Sequence, residues 1–332
     1  MATLRWGIIG TGSIARTFAR DLALVAGGEV VAIGSRTSSA ATAFAREFGV
    51  ARAHESYEAL VADPDVDVVY VATPHPLHHD NARLALAAGK PALVEKPFTM
   101  TAAQARDLVD LARASGLFLM EAMWTRFLPH VVAIREIVSR GELGEIVGVE
   151  ADHGQWFAAD PASRLFAPEL GGGALLDLGV YPVSFASMVL GAPSHVSAVA
   201  TLASTGVDAQ TSMLFGYPRG AHAVLTCTSR ARSATRASIV GTEARLDVEG
   251  DFYAPSSFDV VRRDGTRTRH EFDTVGRGLH YEAAEVTRCV RDGRLESRAM
   301  PLDESVAVIA TLEQVLSSSL RAASLAAWPH AT

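Results

Sequence analysis

The stretch Gly7-Ile8-Ile9-Gly10-Thr11-Gly12-Ser13-Ile14-Ala15 decides the fold. It closes a continuous apolar run, Leu4–Ile9, and opens a segment of helical periodicity over 13–25. Gly10, Gly12 and Ala15 carry the G-x-G-x-x-A spacing. Gly10 permits a tight strand-to-helix turn, and Gly12 lets the backbone approach a pyrophosphate. Ala15 keeps the helix close to the sheet, and the free N–H groups of the helix start, from Thr11 through Ile14, face the phosphates. The spacing has weight here because it follows a strand, opens a helix and begins a βαβ series.

Outward from this turn, apolar runs and helical patterns alternate. Strands are expected at 30–35, 67–72, 92–95 and 117–120, and helices at 39–48, 81–88 and 102–115. Short connections between them imply a parallel, doubly wound α/β sheet. Beyond residue 125 the pattern changes to consecutive strands at 146–152, 196–202, 210–215, 222–228, 237–240 and 258–262, and helices are expected at 281–291 and 303–323. Strands without intervening helices predict an α+β domain with an open, mostly antiparallel sheet. The expected division is a dinucleotide domain over 1–125 and a substrate-binding and oligomerisation domain over 126–332.

Composition narrows the function classes. The chain has 332 residues, 37 acidic and 30 basic, for a net charge of −7, which argues against a nucleic-acid partner. Its 48% hydrophobic and 20% charged residues are those of a globular protein. No uninterrupted apolar run suggests a membrane span. Two cysteines, Cys227 and Cys289, make no disulfide framework, so a soluble, cytoplasmic protein is expected. Only Lys90 and Lys96 are lysines. Lys90 lies in a Gly-Lys-Pro turn, where it is expected to be solvated. Lys96 ends a strand, where a compact cation with a tunable proton can serve chemistry that arginine cannot.

The end of the second strand reads Ser35-Arg36-Thr37, where an NAD site usually places Asp or Glu. Arg36 can clamp a 2′-phosphate, and the flanking hydroxyls can donate to it, so NADP is the expected cofactor.

Four segments together, Gly10-x-Gly12-x-x-Ala15, Ala72-Thr73-Pro74, Glu95-Lys96-Pro97 and Gly171-Gly-Gly-Ala-Leu-Leu-Asp177-Leu-Gly-Val-Tyr181-Pro, resemble the Gfo/Idh/MocA oxidoreductases. Glu121-Ala-Met-Trp124-Thr-Arg126-Phe and residues 171–182 look most similar to the dihydrodiol dehydrogenase and D-xylose dehydrogenase branch. The resemblance covers almost the whole chain. It implies a Rossmann domain, a nicotinamide cofactor and hydride exchange with a CH–OH carbon of a small polyol, an aldose sugar such as D-xylose or a trans-dihydrodiol. It implies Lys96 as the cation beside the reacting oxygen, in a Lys–Pro bond that is often cis in the family. Many members carry histidine where this chain has Tyr181. Tyr181 is therefore assigned as general acid/base, its proton loosened by Lys96, with Asp177 orienting lysine or substrate. Asp177 and Tyr181, four apart, would share a helix face, and Pro182 would kink that helix or mark its first turn.

Further assignments rest on the same resemblance. Ala72, Thr73, Pro74, His75, His78, Glu95 and Lys96 would line the cofactor, and Trp124 and Arg126 would cover the nicotinamide and reach a phosphate or substrate hydroxyl. Arg164 would approach the cofactor or, equally, form a surface salt bridge. Trp124, His153 and Tyr253 are candidate walls of the substrate pocket. The spacing of His75, His78 and His79 would suit a metal only on a helix, and Pro74 and Pro76 argue against one, so no metal is expected. A homo-oligomer, a homodimer or a tetramer, is expected through the open sheet. The alternative reading is a non-catalytic NADP-binding regulator of the same fold family.

Overall fold

The computed structural model describes residues 3–325. Its first elements are β1 (Leu4–Ile9), α1 (Ser13–Leu22), β2 (Gly28–Gly34), α2 (Ser38–Phe48), β3 (Arg52–His54), α3 (Tyr57–Val61), β4 (Val68–Val71), α4 (His78–Ala87), β5 (Ala92–Glu95), α5 (Ala102–Ser115) and β6 (Leu119–Ala122). The six strands form one parallel sheet in the order β3-β2-β1-β4-β5-β6. The chain reverses direction across the sheet between β1 and β4, the switch point at which such sheets bind ligands. Every residue of β4, β5 and β6 is buried, which is why these strands read as unbroken apolar runs. Ser56 and Thr101 cap α3 and α5 through their side chains, and left-handed Gly49 and Gly116 end α2 and α5.

The remaining elements are α6 (Pro129–Ser139), β7 (Ile146–Gly154), α7 (Val180–Leu190), β8 (His195–Leu202), β9 (Asp208–Gly216), β10 (His222–Thr228), β11 (Ala237–Gly241), β12 (Ala244–Val248), β13 (Phe258–Arg262), β14 (Arg267–His270), α8 (Leu279–Arg291) and α9 (Leu302–Leu325). The eight strands run in the order β14-β13-β12-β11-β7-β10-β9-β8. All pairs are antiparallel except β7 with β10, so the sheet is mixed. Along β9 buried and exposed residues alternate, so one sheet face is covered and the other is open.

Several elements are hard to read from sequence. The strands β3, β12 and β14 are short, and α3 is a single capped turn. The α6 helix buries Val131, Ile134 and Ile137, a stripe that periodicity could have shown, whereas α7, whose start is expected around Tyr181, is apolar nearly all round and gives no stripe to mark its length. The segment Pro168–Leu190 is long and apolar enough by composition to cross a membrane, yet 78% of its most apolar window is buried inside the protein. It is core. Lys90 is not simply solvated: its Nζ donates to the carbonyls of Asp63 (3.1 Å) and Val66 (2.6 Å).

The chain divides into two compact units, but not at a single boundary. Met1–Leu128 is joined by Thr274–Val306, and Pro129–Asp273 is joined by the chain from Ala307. A cut at 125/126 therefore misses a returning segment. Its anchor is Asp21, buried near the end of α1, whose carboxylate accepts the N–H groups of Arg277 (3.1 Å), Gly278 (2.8 Å) and Leu279 (2.8 Å). Leu119 of β6 also donates its N–H to the Leu295 carbonyl, so the segment reaches the edge strand as well. Contacts across some 250 residues of sequence leave no periodic trace. Asp21→Ala would strand these buried donors, and a loss of about 3 kcal/mol is expected. A thermal melt checks this, since an unchanged Tm would mean the segment is held elsewhere.

Candidate active site

In the first unit the β1–α1 turn has the shape a dinucleotide needs. Gly10 sits at φ +106°, where a Cβ would meet the Ala72 carbonyl oxygen at 2.6 Å. Around Gly12 a Cβ would meet nothing within 4 Å, so the space above the helix start is open. No side chain caps α1 and its first turn holds no acid, which leaves N–H groups and the helix dipole available to a phosphate. The turn fits a dinucleotide. At the end of β2, Ser35 is buried while Arg36 and Thr37 are exposed, and Arg36 lies close enough to Tyr57 to act on its hydroxyl.

Glu95-Lys96-Pro97 follows β5 directly, and the Lys96–Pro97 bond is cis. From Ala92 to Thr99 only Lys96 is more than marginally exposed. Glu95 is buried and accepts the Tyr70 hydroxyl on Oε1 and the Lys96 N–H, 3.1 Å, on Oε2. Thr73, at the end of β4, accepts a bond from Asn81 (3.1 Å).

The prolines do not prevent helix formation here. Residues His75–Leu77 make a 3-10 turn that leads straight into α4. The ring nitrogens of His78 and His79 have partners within the protein. His78 is fully buried with its ring nitrogens 2.8 Å from the Thr73 and Pro97 carbonyl oxygens. His79 faces Asp80 and Asp107. Among the described residues no three ligating side chains converge.

Trp124 and Arg126 lie in a 3-10 turn after β6 and are both buried. Arg126 is expected to reach outward to a phosphate or substrate hydroxyl. Its guanidinium instead pairs with Glu304 (2.7 Å) from the returning segment, with only 3% of the side chain exposed. The Arg277 guanidinium lies 5.8 Å from the Trp124 ring centroid, at cation–π distance.

In the second unit a glycine run sets up the other candidates. A Cβ on Gly172 would collide with the carbonyls of Leu165 (2.7 Å) and Ala167 (2.9 Å), and Gly173, at φ +118°, packs against the Asp208 carboxylate. Asp208, buried, accepts the Leu175 N–H (2.8 Å) and the Thr211 hydroxyl (3.0 Å). These contacts fix the start of a π-helical turn, Leu175–Gly179, which feeds α7. Asp177 lies in the π turn, and Tyr181 and Pro182 follow at the start of α7. The two residues are thus not on one regular α-helix, since a π turn widens the repeat between them.

Arg164 donates to Asp177 at 3.1 Å, so of its two readings the salt bridge is the one observed within this unit.

Three expected residues converge. His153 stacks on Tyr253 with ring centroids 4.2 Å apart, and Tyr181 meets both, at 5.2 Å from His153 and 4.9 Å from Tyr253. Gln155 was missed. Its amide donates to the Tyr253 hydroxyl (3.1 Å) and to His153 Nε2 (3.0 Å), while His153 Nδ1 lies 3.2 Å from the Leu178 carbonyl. Gln155 follows His153 by two residues at the end of β7, so strand alternation could have placed it on the same side.

Comparison with known proteins settles the family. Residues 4–123 match the oxidoreductase family with an NAD-binding Rossmann fold, and residues 131–247 match the GFO/IDH/MocA C-terminal domain. The chain belongs to the Gfo/Idh/MocA family. It is an NAD(P)-dependent oxidoreductase. It is similar to a D-xylose 1-dehydrogenase (NADP(+)) of Hypocrea jecorina, 38% identical over 95% of this chain and 91% of that one. A trans-1,2-dihydrobenzene-1,2-diol dehydrogenase of Mus musculus is 38% identical over 94% of this chain and 95% of its own. Among solved structures, a 3-ketoreductase from Actinomadura kijaniata in complex with NADP and TDP-benzene is 29% identical, with a TM-score of 0.83 over 95% of this chain and 98% of that one.

Proposed function

We propose that this Gfo/Idh/MocA protein oxidises a CH–OH group of a small polyol, an aldose such as D-xylose or a trans-dihydrodiol, with NADP as cofactor. The observation that carries the reading is the Tyr181–His153–Tyr253 cluster. It combines stacked rings, which suit a sugar or carbocycle face, with a phenol able to exchange a proton. The names of two relatives at 38% identity support the substrate class.

The residues Gly10, Thr11, Gly12, Ser13 and Ile14 would hold the pyrophosphate, and Ser35, Arg36 and Thr37 the 2′-phosphate. Ala72, Thr73, Pro74, His75 and Trp124 would flank the nicotinamide end. When bound, the cofactor supplies the carbon that accepts the hydride. The protein's own part is proton and charge management. Tyr181 takes the hydroxyl proton, Lys96 stabilises the oxygen as negative charge develops on it, and Asp177 orients the hydroxyl. Polyol and oxidised cofactor give carbonyl compound, reduced cofactor and one proton.

The NADP assignment is tested by kcat/KM with each cofactor. A preference for NADP of at least about tenfold is expected, and Arg36→Ala should lower kcat/KM for NADP by roughly 10- to 100-fold while leaving NAD nearly unaffected. A clear NAD preference in the native protein would remove Arg36 from that role.

The open sheet face carries Val199, Leu214 and Val224, exposed by 66, 48 and 51%, and Leu214 lies directly opposite Val224. A second copy of the chain would cover this face through an isologous contact. Sedimentation should therefore show a dimer or a multiple of one, and a monomer at micromolar concentration would refute the contact.

A further inference from the structure

Behind the Glu95–Lys96 strand end lies a cluster of buried acids in the first unit. Glu95 ends β5, Glu121 lies in β6, Glu282 in α8 and Asp21 in α1. Glu121 and Glu282 are fully buried, and Glu95 and Asp21 nearly so. Four carboxylates cannot all ionise in a dry interior, so the question is which of them hold protons.

Hydrogen bonds rank them. Asp21 accepts three backbone N–H groups. Glu95 accepts a phenol and a backbone N–H. Glu121 accepts one N–H, from Phe98 at 3.1 Å, and its second oxygen has no partner. Neither oxygen of Glu282 has one. Donors aimed at a carboxyl stabilise its charged form, so Glu95, with two donors, is the better seat for charge and Glu282, with none, the better seat for a proton.

Other groups nearby do not alter this order. Tyr70 of β4 meets the cluster at Glu95. Arg126, itself paired with Glu304, acts on Glu121 rather than on Glu282. On α8, His280 lies 3.8 Å from Asp21. Burial pushes Glu121 up to about 7, with the Ser305 hydroxyl, the Phe98 N–H and Arg126 acting against the rise and the Glu304 charge adding to it. Burial, then the charges of Glu95, Asp21 and Glu121, push Glu282 well above the carboxylate range.

We infer that Glu282 works as a neutral carboxylic acid and is a positioning residue for the dehydrogenase reaction: by keeping its proton it leaves Glu95 charged and seated on the Tyr70 hydroxyl and the Lys96 N–H. Ionised, Glu282 would repel Glu95 through low-dielectric protein and loosen the strand end that presents Lys96. Glu282 is fully buried, so its effect is exerted through Glu95.

The test compares the full-length protein with Glu282→Gln and Glu282→Met. In infrared difference spectra at neutral pH, each substitution should remove a protonated-carboxyl C=O band, and loss of carboxylate bands instead overturns the inference. This readout concerns Glu282 itself and stands whatever the substrate or the role of Tyr181. Stability gives a second readout. A raised carboxyl pKa means the folded protein holds a proton that the unfolded chain releases, so wild-type stability should fall as pH rises from the ordinary carboxylate range towards the folded-state pKa. Both variants should lose the part of that slope due to Glu282, leaving the shallower slope that Glu121 and Asp208 contribute, and should melt at or above the wild type near pH 8, because nothing is bonded to the carboxyl they replace. Variants that fail to fold, or whose slope equals that of the wild type, contradict the inference. In turnover, the alkaline decline of kcat should move up by about one pH unit or more in Glu282→Gln, and superimposable profiles would exclude a positioning role.

Discussion

Lys96→Met will lower kcat for polyol oxidation by about 100-fold or more while leaving NADPH affinity within a few-fold of wild type. Methionine keeps the length and much of the volume of the lysine stem but carries no charge. The loss therefore falls on the oxygen that becomes negative as the hydride leaves, which is a transition-state contribution and lowers kcat rather than raising KM alone. The local frame should survive the change. Glu95 is held by the Tyr70 hydroxyl and by the Lys96 backbone N–H, and neither contact needs the ammonium. Cofactor affinity should survive as well, because the turn around Gly10 and Gly12 lies at the end of a different strand. Single-turnover kinetics and a fluorescence titration of NADPH separate the two effects. Near wild-type kcat would take Lys96 out of the mechanism.

Tyr181→Phe should lose a comparable factor for a different reason. Phenylalanine preserves the ring contacts with His153 and Tyr253, so packing of the second unit is retained. Only the proton acceptor is removed, and general-base catalysis of this kind is worth roughly 10²- to 10⁴-fold. The deficit should shrink at high pH, where hydroxide in solution can replace the missing base. A variant that turns over normally, or one that loses its fold, would break this assignment. Comparing Lys96→Met, Tyr181→Phe and the double variant adds a check: groups that act on one proton give losses that do not multiply.

Much of the fold was legible because it depends on local rules. The apolar run into Gly10-Thr-Gly12, the strand–helix alternation and the strand end at Glu95 each follow from periodicity or from turn chemistry within a few residues. The structure places β5 and α5 at the bounds read from sequence, and β1 likewise. What escaped depends on distant partners. The return of Thr274–Val306 to the first unit hangs on Asp21, whose three N–H bonds join residues far apart in the chain.

The π turn at Leu175–Gly179 was missed for the same reason. Its start is held by Asp208, and nothing in the local run of apolar residues and glycine predicts the extra residue per turn.

The site divides in the same way. Tyr181, His153 and Tyr253 were chosen individually, and the second unit brings their rings together. Gln155, which bonds two of them, is an ordinary polar residue in sequence and becomes notable only by its partners. Arg126, expected beside Trp124 to reach a phosphate or substrate hydroxyl, has a partner that the sequence does not announce, Glu304 of the returning segment. The histidines at 75, 78 and 79 were likewise ambiguous until their backbone and carboxylate partners were visible.

The most direct test of the central claim is the initial rate of nicotinamide reduction by the purified protein with NADP+ across a panel of aldoses, inositols and cyclic trans-diols. The account predicts saturable reduction with at least one aldose or vicinal diol, abolished together by Lys96→Met and Tyr181→Phe. A folded protein that binds NADPH yet reduces no cofactor with any member of the panel would contradict it, and would favour a protein that binds the dinucleotide without turning it over.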